Sequence, residues 1–481
     1  DFTHNIANKI PTLINMPQSK SIQEVGKASA WITPFVQHGG PRYLQIADML
    51  ERALSDGSLR PGDRLPPQRR LAALFQIDLT TVTRAYDEAK RRNLLEGHGA
   101  RGTYVAAPKV ELTQMLDLSM NIPPPPVGVD FNDLLKQGVA QVLMRTDSDL
   151  LMSYHLGGGG TADRAAGAVW LAPMFGDVDA QHVVACPGAQ AALAALILTL
   201  SRPGDTILTE EAVYPGLRSA AGQLNRKLIV VETDADGMLP EALEKAWRKH
   251  HARLIYLNPT LQNPTAHTMP AARRLAITDA AQRCGMHIIE DDPYWLLASD
   301  APPPLAHYAP GHVSYIATLS KCLAPGLRMA YALVPDVQRR ERFLQALRSF
   351  SLMATPLTTA LATQWIHDGS AHELLAGVRS EAGARQDVIR TILTGTSHPR
   401  SDGIHVWFSL PSYWTSRELA TTARAQGVAV TASDAFYDNR PPNAIRISLG
   451  SIRDRARLAN ALKKLSLLLA HKPAVNREFV I

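Results

Sequence analysis

Cysteine is scarce in this chain of 481 residues: Cys186, Cys284 and Cys322 are all there is. Three thiols so far apart build no disulfide framework and match no metal-ligand spacing. This excludes a stapled secreted scaffold and a zinc-held fold, and it suits a reducing cytoplasm. Long apolar runs are missing as well. The longest, Ala191 to Leu200, is about half of the ~20 residues that a membrane-spanning helix needs. No basic head followed by an apolar core opens the sequence, so no signal peptide is expected. Nor does one sign of charge dominate: 50 Lys+Arg against 44 Asp+Glu leave +6, which permits a nucleic-acid partner without arguing for one. What is present is ordinary globular composition, 46% hydrophobic and 20% charged, and this excludes a largely disordered chain. At about 100–200 residues per domain, the length predicts two to four domains.

Residues 1–37 mix Asn, Pro, Ser and scattered apolar residues without a sustained period, and read as a poorly ordered extension. From Pro41 a pattern sets in. Tyr43, Ile46, Ala47, Leu50 and Leu54 fall at helical spacing, with Gly57 as a stop. A Pro-Gly turn follows, then two short helical patterns, Gln68 to Phe75 and Thr80 to Asn93, with Thr80 as N-cap. Leu94 to Gly97 and Gly102 to Val105 read as two strands around a Gly/Arg-rich tip, His98 to Arg101. Helix, helix, tight turn, helix and hairpin make a winged helix-turn-helix over residues 38–107. In such a unit the second helix of the pair enters the major groove. That puts Thr80, Thr81, Thr83 and Arg84 near base edges, while Arg64, Arg69 and the wing's Arg101 meet phosphates or the minor groove. Between Arg42 and Arg101 there are 11 Arg+Lys and 8 Asp+Glu, so the order of elements carries this reading and charge does not.

A short connector (108–116) leads to a stiff run, Asn121-Ile122 followed by four prolines. From residue 117 to 481 short apolar strands alternate with helical patterns, which argues for a doubly wound α/β sheet, mostly parallel, with helices on both faces. Strands are expected at Val183–Ala185, Thr206–Thr209, Leu228–Glu232, Arg253–Leu257, His287–Glu290, Ser314–Thr318 and Met329–Val334. Ligands of such sheets sit beyond the carboxyl ends of the strands. There the sequence places a glycine turn opening a helix (Gly188-Ala189-Gln190), two Asn-Pro-Thr units within eight residues (258–265), Asp291-Asp292-Pro293-Tyr294, and a loop crowded with Ser320, Lys321 and Arg328. A lysine for a Schiff base, an Asp for a protonated pyridine nitrogen, and hydroxyls, Arg and a helix N-terminus for a phosphate are what pyridoxal phosphate requires.

Residues 38–107 resemble a GntR-type winged helix-turn-helix. Residues 117 to about 470 resemble a fold-type I aminotransferase domain, most specifically at Asp291-Asp292-Pro293-Tyr294, Ser320-Lys321 and Pro325-Gly326-Leu327-Arg328. The fusion is similar to the MocR-type regulators. The resemblance implies that Lys321 carries pyridoxal phosphate, that Asp291 pairs with the pyridine nitrogen, and that Asn263 and Tyr294 bond the phenolic oxygen. It implies that Tyr214 stacks on the ring and that Gly188, Ala189, Gln190, Ser320 and Arg328 form the phosphate cup. Arg446 matches the clamp for a substrate carboxylate, a natural task for a bidentate guanidinium. Tyr154 matches a tyrosine that reaches the neighbouring subunit's site, which implies a homodimer reading paired DNA half-sites. Two positions depart from the pattern. Leu79 stands where many GntR proteins have an arginine, and Ala189 lacks a hydroxyl common in the phosphate cup. Cys322 reads as a small packed residue.

The leading expectation is a cytoplasmic transcriptional regulator that senses an amino compound, with a carboxylate, by forming an external aldimine in place of Lys321. The alternative is a working aminotransferase with an accessory DNA-binding head. A body serving only for dimerisation is disfavoured, because no cofactor position is missing.

Overall fold

The computed structural model describes residues 31–35, 40–92, 94–97, 99, 102–106, 115–394 and 402–472. Its contacts divide the chain into two compact units, Asp1–Gln114 and Met115–Ile481. The expected N-terminal extension (apart from 31–35), most of the connector, and Asn93, His98, Ala100 and Arg101 of the wing lie outside the described residues.

The first unit contains α1 (Arg42–Ser55), α2 (Gln68–Phe75), α3 (Leu79–Arg91) and the antiparallel hairpin of β1 (Leu95–Gly97) and β2 (Thr103–Val105), with Leu95 opposite Val105. Ile46, Leu50, Leu71, Val82, Ala85, Tyr86 and Val105 close a core around the helix crossings. Gln76 takes a left-handed conformation (φ 52°) that ends α2. The expected cap is corrected here: α3 begins at Leu79, and its N-cap position is Asp78, extended at φ −66° and ψ 142°. Thr80 is already helical, because the chain takes up helical dihedrals two residues sooner than an N-cap at Thr80 requires. Arg92 fastens α3 to α1 through Asp48 at 2.7 Å and Glu51 at 3.0 Å.

In the second unit, β3 (Leu116–Asp117) precedes α4 (Phe131–Arg145), α5 (Ser148–Leu151) and α6 (Thr161–Phe175). Then come β4 (Val183–Cys186), α7 (Ala189–Leu200), β5 (Thr206–Thr209), α8 (Pro215–Gln223) and β6 (Lys227–Val230). A small ribbon of β7 (Thr233–Asp234) and β8 (Gly237–Met238) leads to α9 (Pro240–His250), β9 (Leu254–Leu257), α10 (Ala271–Arg283), β10 (His287–Asp291), α11 (Leu305–Tyr308), β11 (Val313–Thr318) and β12 (Ala330–Leu333). All seven expected strands join one sheet, ordered β4-β12-β11-β10-β9-β5-β6, parallel except for β12, which runs antiparallel to both neighbours. No crossover helix separates β11 from β12. Their connection, closed where Leu319 N–H donates to the Met329 carbonyl, is the loop that carries Lys321.

The central strands are mostly apolar because both faces of the sheet are covered. Ile288 and Tyr315 point to one core with Trp170, Ile277 and Trp365. Ile289 and Ile316 point to the other with Leu193, Leu196 and Phe343, the last on α12 (Val337–Phe350). After α13 (Pro356–His367) and the long α14 (Ser370–Ile392), a smaller antiparallel sheet forms from β13 (His405–Ser409), β16 (Ala444–Ser448) and β15 (Thr431–Ala432), with α15 (Ser416–Ala425) and α16 (Arg455–Ala470). The short β14 (Val428–Ala429) pairs in parallel with β3, which threads the start of this unit into the smaller lobe, where Leu118 is buried.

Two glycines test the packing in opposite directions. A Cβ on Gly167 in α6 would stand 2.6 Å from Tyr331 and 2.7 Å from Val183, so Gly167→Ala overpacks the helix–sheet joint. A loss of about 1–3 kcal/mol is expected. Gly383, within α14, has open space around a new Cβ. Gly383→Ala should gain about 0.5–1 kcal/mol from helix propensity. Denaturant unfolding of the two variants checks both signs.

Candidate functional site

β10 ends in Glu290 and Asp291, with Asp292 the next residue, and the alternation along the chain sends Asp291 to one face and its two neighbours to the other. Asp291 turns to the α7 side, where the Tyr256 hydroxyl donates to its Oδ2 at 2.8 Å. Burial pushes Asp291 up to about 6, while that hydrogen bond and the Lys321 ammonium pull it down. Asn258, just past β9, donates to the Asp291 carbonyl (2.6 Å) and accepts from Asn263 N–H (2.8 Å), so the double Asn-Pro-Thr loop is clamped to the end of β10.

On the other face Glu290 accepts from Leu305 and Ala306 N–H (2.8 and 2.9 Å), and Asp292 accepts from the Thr260 hydroxyl (2.7 Å). Burial raises both carboxyls, helped by Asp292 at Glu290 and by Asp291 at Asp292, and Arg274 opposes the rise. That arginine is fully buried and donates to the Met269, Pro259, Pro302 and Pro303 carbonyls and to Thr260 Oγ1.

Lys321 lies beyond β11, its Nζ donating to the Asn121 carbonyl at 2.5 Å. Desolvation, with Arg446 and Arg328 nearby, lowers this ammonium to about 8 against the pull of Asp291. Gly188 occupies the N-cap position of α7 at φ 93°, and no side chain caps that helix. The Arg328 guanidinium lies against it. A Cβ on Gly188 would stand 2.9 Å from Arg328 Nη2, so the conformation and the close approach both require glycine. Ala189 opens the helix, and Gln190 donates to the Gly216 carbonyl at 2.9 Å. Ser320 is buried, its N–H on the Thr318 hydroxyl. Tyr214 sits at the N-cap position of α8, and burial raises its phenol.

Arg446, on β16, donates through Nη1 to Asn263 Oδ1 (2.6 Å) and through Nη2 to the Ser119 carbonyl (2.5 Å), with its guanidinium 5.0 Å from the centre of the Phe436 ring. Tyr294 is buried, and its oxygen accepts from Asn121 Nδ2 at 2.9 Å. Among the described residues, nothing pairs with Arg446 Nε, Gln190 Oε1 or Asn121 Oδ1, all buried. Such groups call for a polar occupant.

The expected cofactor residues thus gather at one sheet edge, while Tyr154 stands apart, 75% exposed on the loop after α5. In the first unit Arg64, Arg69, Thr80 and Arg84 are exposed, and Thr81 is half-buried. Arg84 lies over the Tyr43 ring at 5.1 Å, and the Thr83 hydroxyl is engaged with Gln68 Oε1 at 2.8 Å, joining α2 to α3. Sequence reasoning gave no role to Asn121, Tyr256, His405 or Arg274, and took Asn258 only as part of a rigid loop. A polar residue set in an apolar strand or beside its end was the available signal for Tyr256, Asn258 and His405. Asn121 was hidden in a run read only for its prolines.

The donor set suits pyridoxal phosphate: an uncapped helix N-terminus beside Arg328 for the phosphate, a buried carboxylate for the ring nitrogen, and an amine lowered towards neutrality. Residues 168–465 match the family model for aminotransferase class I and II, and residues 42–105 match that for bacterial regulatory proteins of the gntR family. The chain is 30% identical over 442 residues to the HTH-type transcriptional regulator YdeF of Bacillus subtilis, spanning 89% of this chain and 94% of that one. It is 26% identical to the vitamin B6 salvage pathway transcriptional repressor PtsJ of Salmonella typhimurium, over 85% and 94% of the two chains. The crystal structure of an archaeal alanine:glyoxylate aminotransferase shares the fold with a TM-score of 0.68 at 25% identity, over 74% of this chain and 91% of that chain. A gntR-family head ahead of an aminotransferase body is the MocR-type arrangement, and the chain belongs to that family of pyridoxal phosphate-linked transcriptional regulators.

Proposed function

We propose that this regulator senses a small amino compound carrying a carboxylate, at the site where Lys321, Asp291 and Arg446 converge. The convergence of these three behind a DNA-binding head is the observation that carries the reading. When bound, the cofactor supplies reversible covalent capture of primary amines. Lys321 would offer its Nζ, Asp291 would hold the ring nitrogen, Asn263 and Tyr294 would bond the phenolic oxygen, and Tyr214 would stack on the ring. Gly188, Ala189, Gln190, Ser320 and Arg328 would hold the phosphate. Arg446, with Nε unpaired, is suited to a carboxylate on the effector. Thr80, Thr81 and Arg84 face base edges, and Arg64, Arg69 and Arg101 meet the backbone. Thr83, its hydroxyl engaged with Gln68, serves to position the helix.

The pocket retains everything an aminotransferase uses, so turnover is the second reading. Lys321→Ala decides how the body works. The variant should lose the visible absorbance of the cofactor-loaded protein and all response to amines, while gel shifts on the adjoining intergenic DNA persist. Rapid transamination of common amino acids by the unaltered protein, with no affinity for that DNA, would sink the regulator reading.

Arg446 predicts two linked effects. Arg446→Ala should weaken a carboxylate-bearing effector at least about tenfold, the loss of a charge-assisted pair, and the cofactor much less. Lys321 must shed its proton to react, and its ammonium is lowered to about 8. The rate at which stripped protein regains its visible band should therefore climb about tenfold per pH unit below 8 and level off above it. Removing Arg446 lifts one of the causes of that lowering, so the break should move to higher pH.

The apolar side chains Met144 (78% exposed), Met152 (76%) and Tyr154 (75%) support a homodimer in which a second copy covers them and Tyr154 reaches its partner's pocket. Sedimentation should find a dimer, and Met144→Lys with Met152→Lys should shift it to monomer. A monomeric parent protein would remove this part of the reading.

A further inference from the structure

A short chain of buried hydrogen bonds leads away from Lys321 and has no part in the roles assigned so far. It starts at the Gln262 carbonyl, which can only accept, and His405 Nε2 lies 3.1 Å from it. Nε2 therefore carries a proton. His405 is fully buried, and burial together with Arg446 pushes its pKa down to about 3, so the ring is neutral and Nδ1 is a bare acceptor. Asn121 Nδ2 is 3.3 Å from that Nδ1. The amide must present its NH2 there, since a turned amide would set Oδ1 against a lone pair. The same nitrogen gives its second proton to the Tyr294 oxygen at 2.9 Å. Tyr294 thus accepts from Asn121, and its own proton is directed elsewhere. The Asn121 carbonyl meanwhile accepts from Lys321, which puts the hydroxyl and the amine on one residue. The Tyr294 and His405 rings pack with centroids 5.3 Å apart, which fixes the relay.

We infer that His405 is a positioning residue: by fixing the orientation of Asn121, it aims the Tyr294 proton into the pocket, at the phenolic oxygen of the cofactor beside Lys321. The inference rests on the assignment of Tyr294 and Lys321 proposed above. A donor on that oxygen stabilises its anionic form and weakens its hold on a proton at the neighbouring nitrogen. Charged and titratable groups facing the relay are Lys321, Asp291, Tyr214, Tyr256, Arg328 and Arg446. None of them is substituted when His405 is replaced.

The test is a pH titration of the visible absorbance of the full-length, pyridoxal phosphate-loaded protein. In His405→Phe, Asn121 is free to turn and take the Tyr294 proton on Oδ1. The midpoint should rise by about one pH unit, a tenfold change in proton affinity. Tyr294→Phe should rise at least as far. His405→Gln accepts at one end of its amide and donates at the other, and should stay near the parent value. An unchanged midpoint in loaded His405→Phe overturns the relay, as does a His405→Gln shift as large as that of the phenylalanine variant. If His405→Phe does not fold, His405→Leu, which removes the same Nδ1 acceptor, takes its place: a rise supports the relay and an unchanged midpoint overturns it. Retention of the visible band in Lys321→Ala would instead mark failure of the site assignment itself.

Discussion

A carboxylate buried at the carboxyl end of a strand is the constraint around which this body is arranged. Asp291 has little exposure, and an isolated charge there would be costly. It is tolerable because Tyr256 donates to it and the Lys321 ammonium lies near. The pleat that delivers Asp291 to one face delivers Glu290 and Asp292 to the other, where no ligand is expected. The N–H groups of Leu305 and Ala306 and the buried Arg274 meet that second demand. The five acceptors of Arg274 also tie Pro259 and Thr260 to Pro302 and Pro303. Stabilising one functional carboxylate has thus fixed the loop that carries Asn263.

The segment from Asp117 to Asn121 is held just as firmly, and from a different direction. β3 pairs with β14, Leu118 is buried in the smaller lobe, and a Cβ on Gly450 would overlap the Ile122 carbonyl. Main-chain oxygens of this segment accept from both Arg446 and Lys321. Its residues therefore border the pocket directly, although in sequence they stand at the opening of the second unit.

Most of the scaffold was legible in the sequence because the physics there is local. Seven apolar strands and their glycine and proline boundaries follow from period and turn chemistry, and the chemistry-bearing residues follow from the rule that ligands sit beyond strand ends. The cap of α3 was misplaced by two residues, because Thr80 and Asp78 are both good N-cap residues and local sequence does not choose between them. The meeting of Asn121 with His405 was not legible. The two are 284 positions apart in the chain, and only the joining of β13, β3 and the loop after β9 makes them neighbours. Thr83, expected from its place near a helix N-terminus to contact DNA, also has its hydroxyl on Gln68, a contact between two helices that local sequence does not show.

A pocket equipped for catalysis behind a DNA-binding head is no contradiction. Capturing an amine and turning it over draw on the same lysine, the same ring-nitrogen partner and the same carboxylate clamp, so a sensor has no physical reason to discard them. What a sensor needs in addition is a difference: the ligand must favour one arrangement of the protein over another, and it can shift the balance only by that difference in affinity. A coupling of about 1–3 kcal/mol suffices for a 5–150-fold change. Hydrogen bonds of the kind Arg446 and Lys321 make to the Ser119 and Asn121 carbonyls are individually worth about 1.5–3 kcal/mol when charged. Exchanging even one of them for a ligand contact is on the scale that regulation requires. On the proposed reading, the chemistry beyond the strand ends selects which molecules are captured, and the Asp117–Asn121 segment, hydrogen-bonded to both Arg446 and Lys321, is where that capture acts on the scaffold.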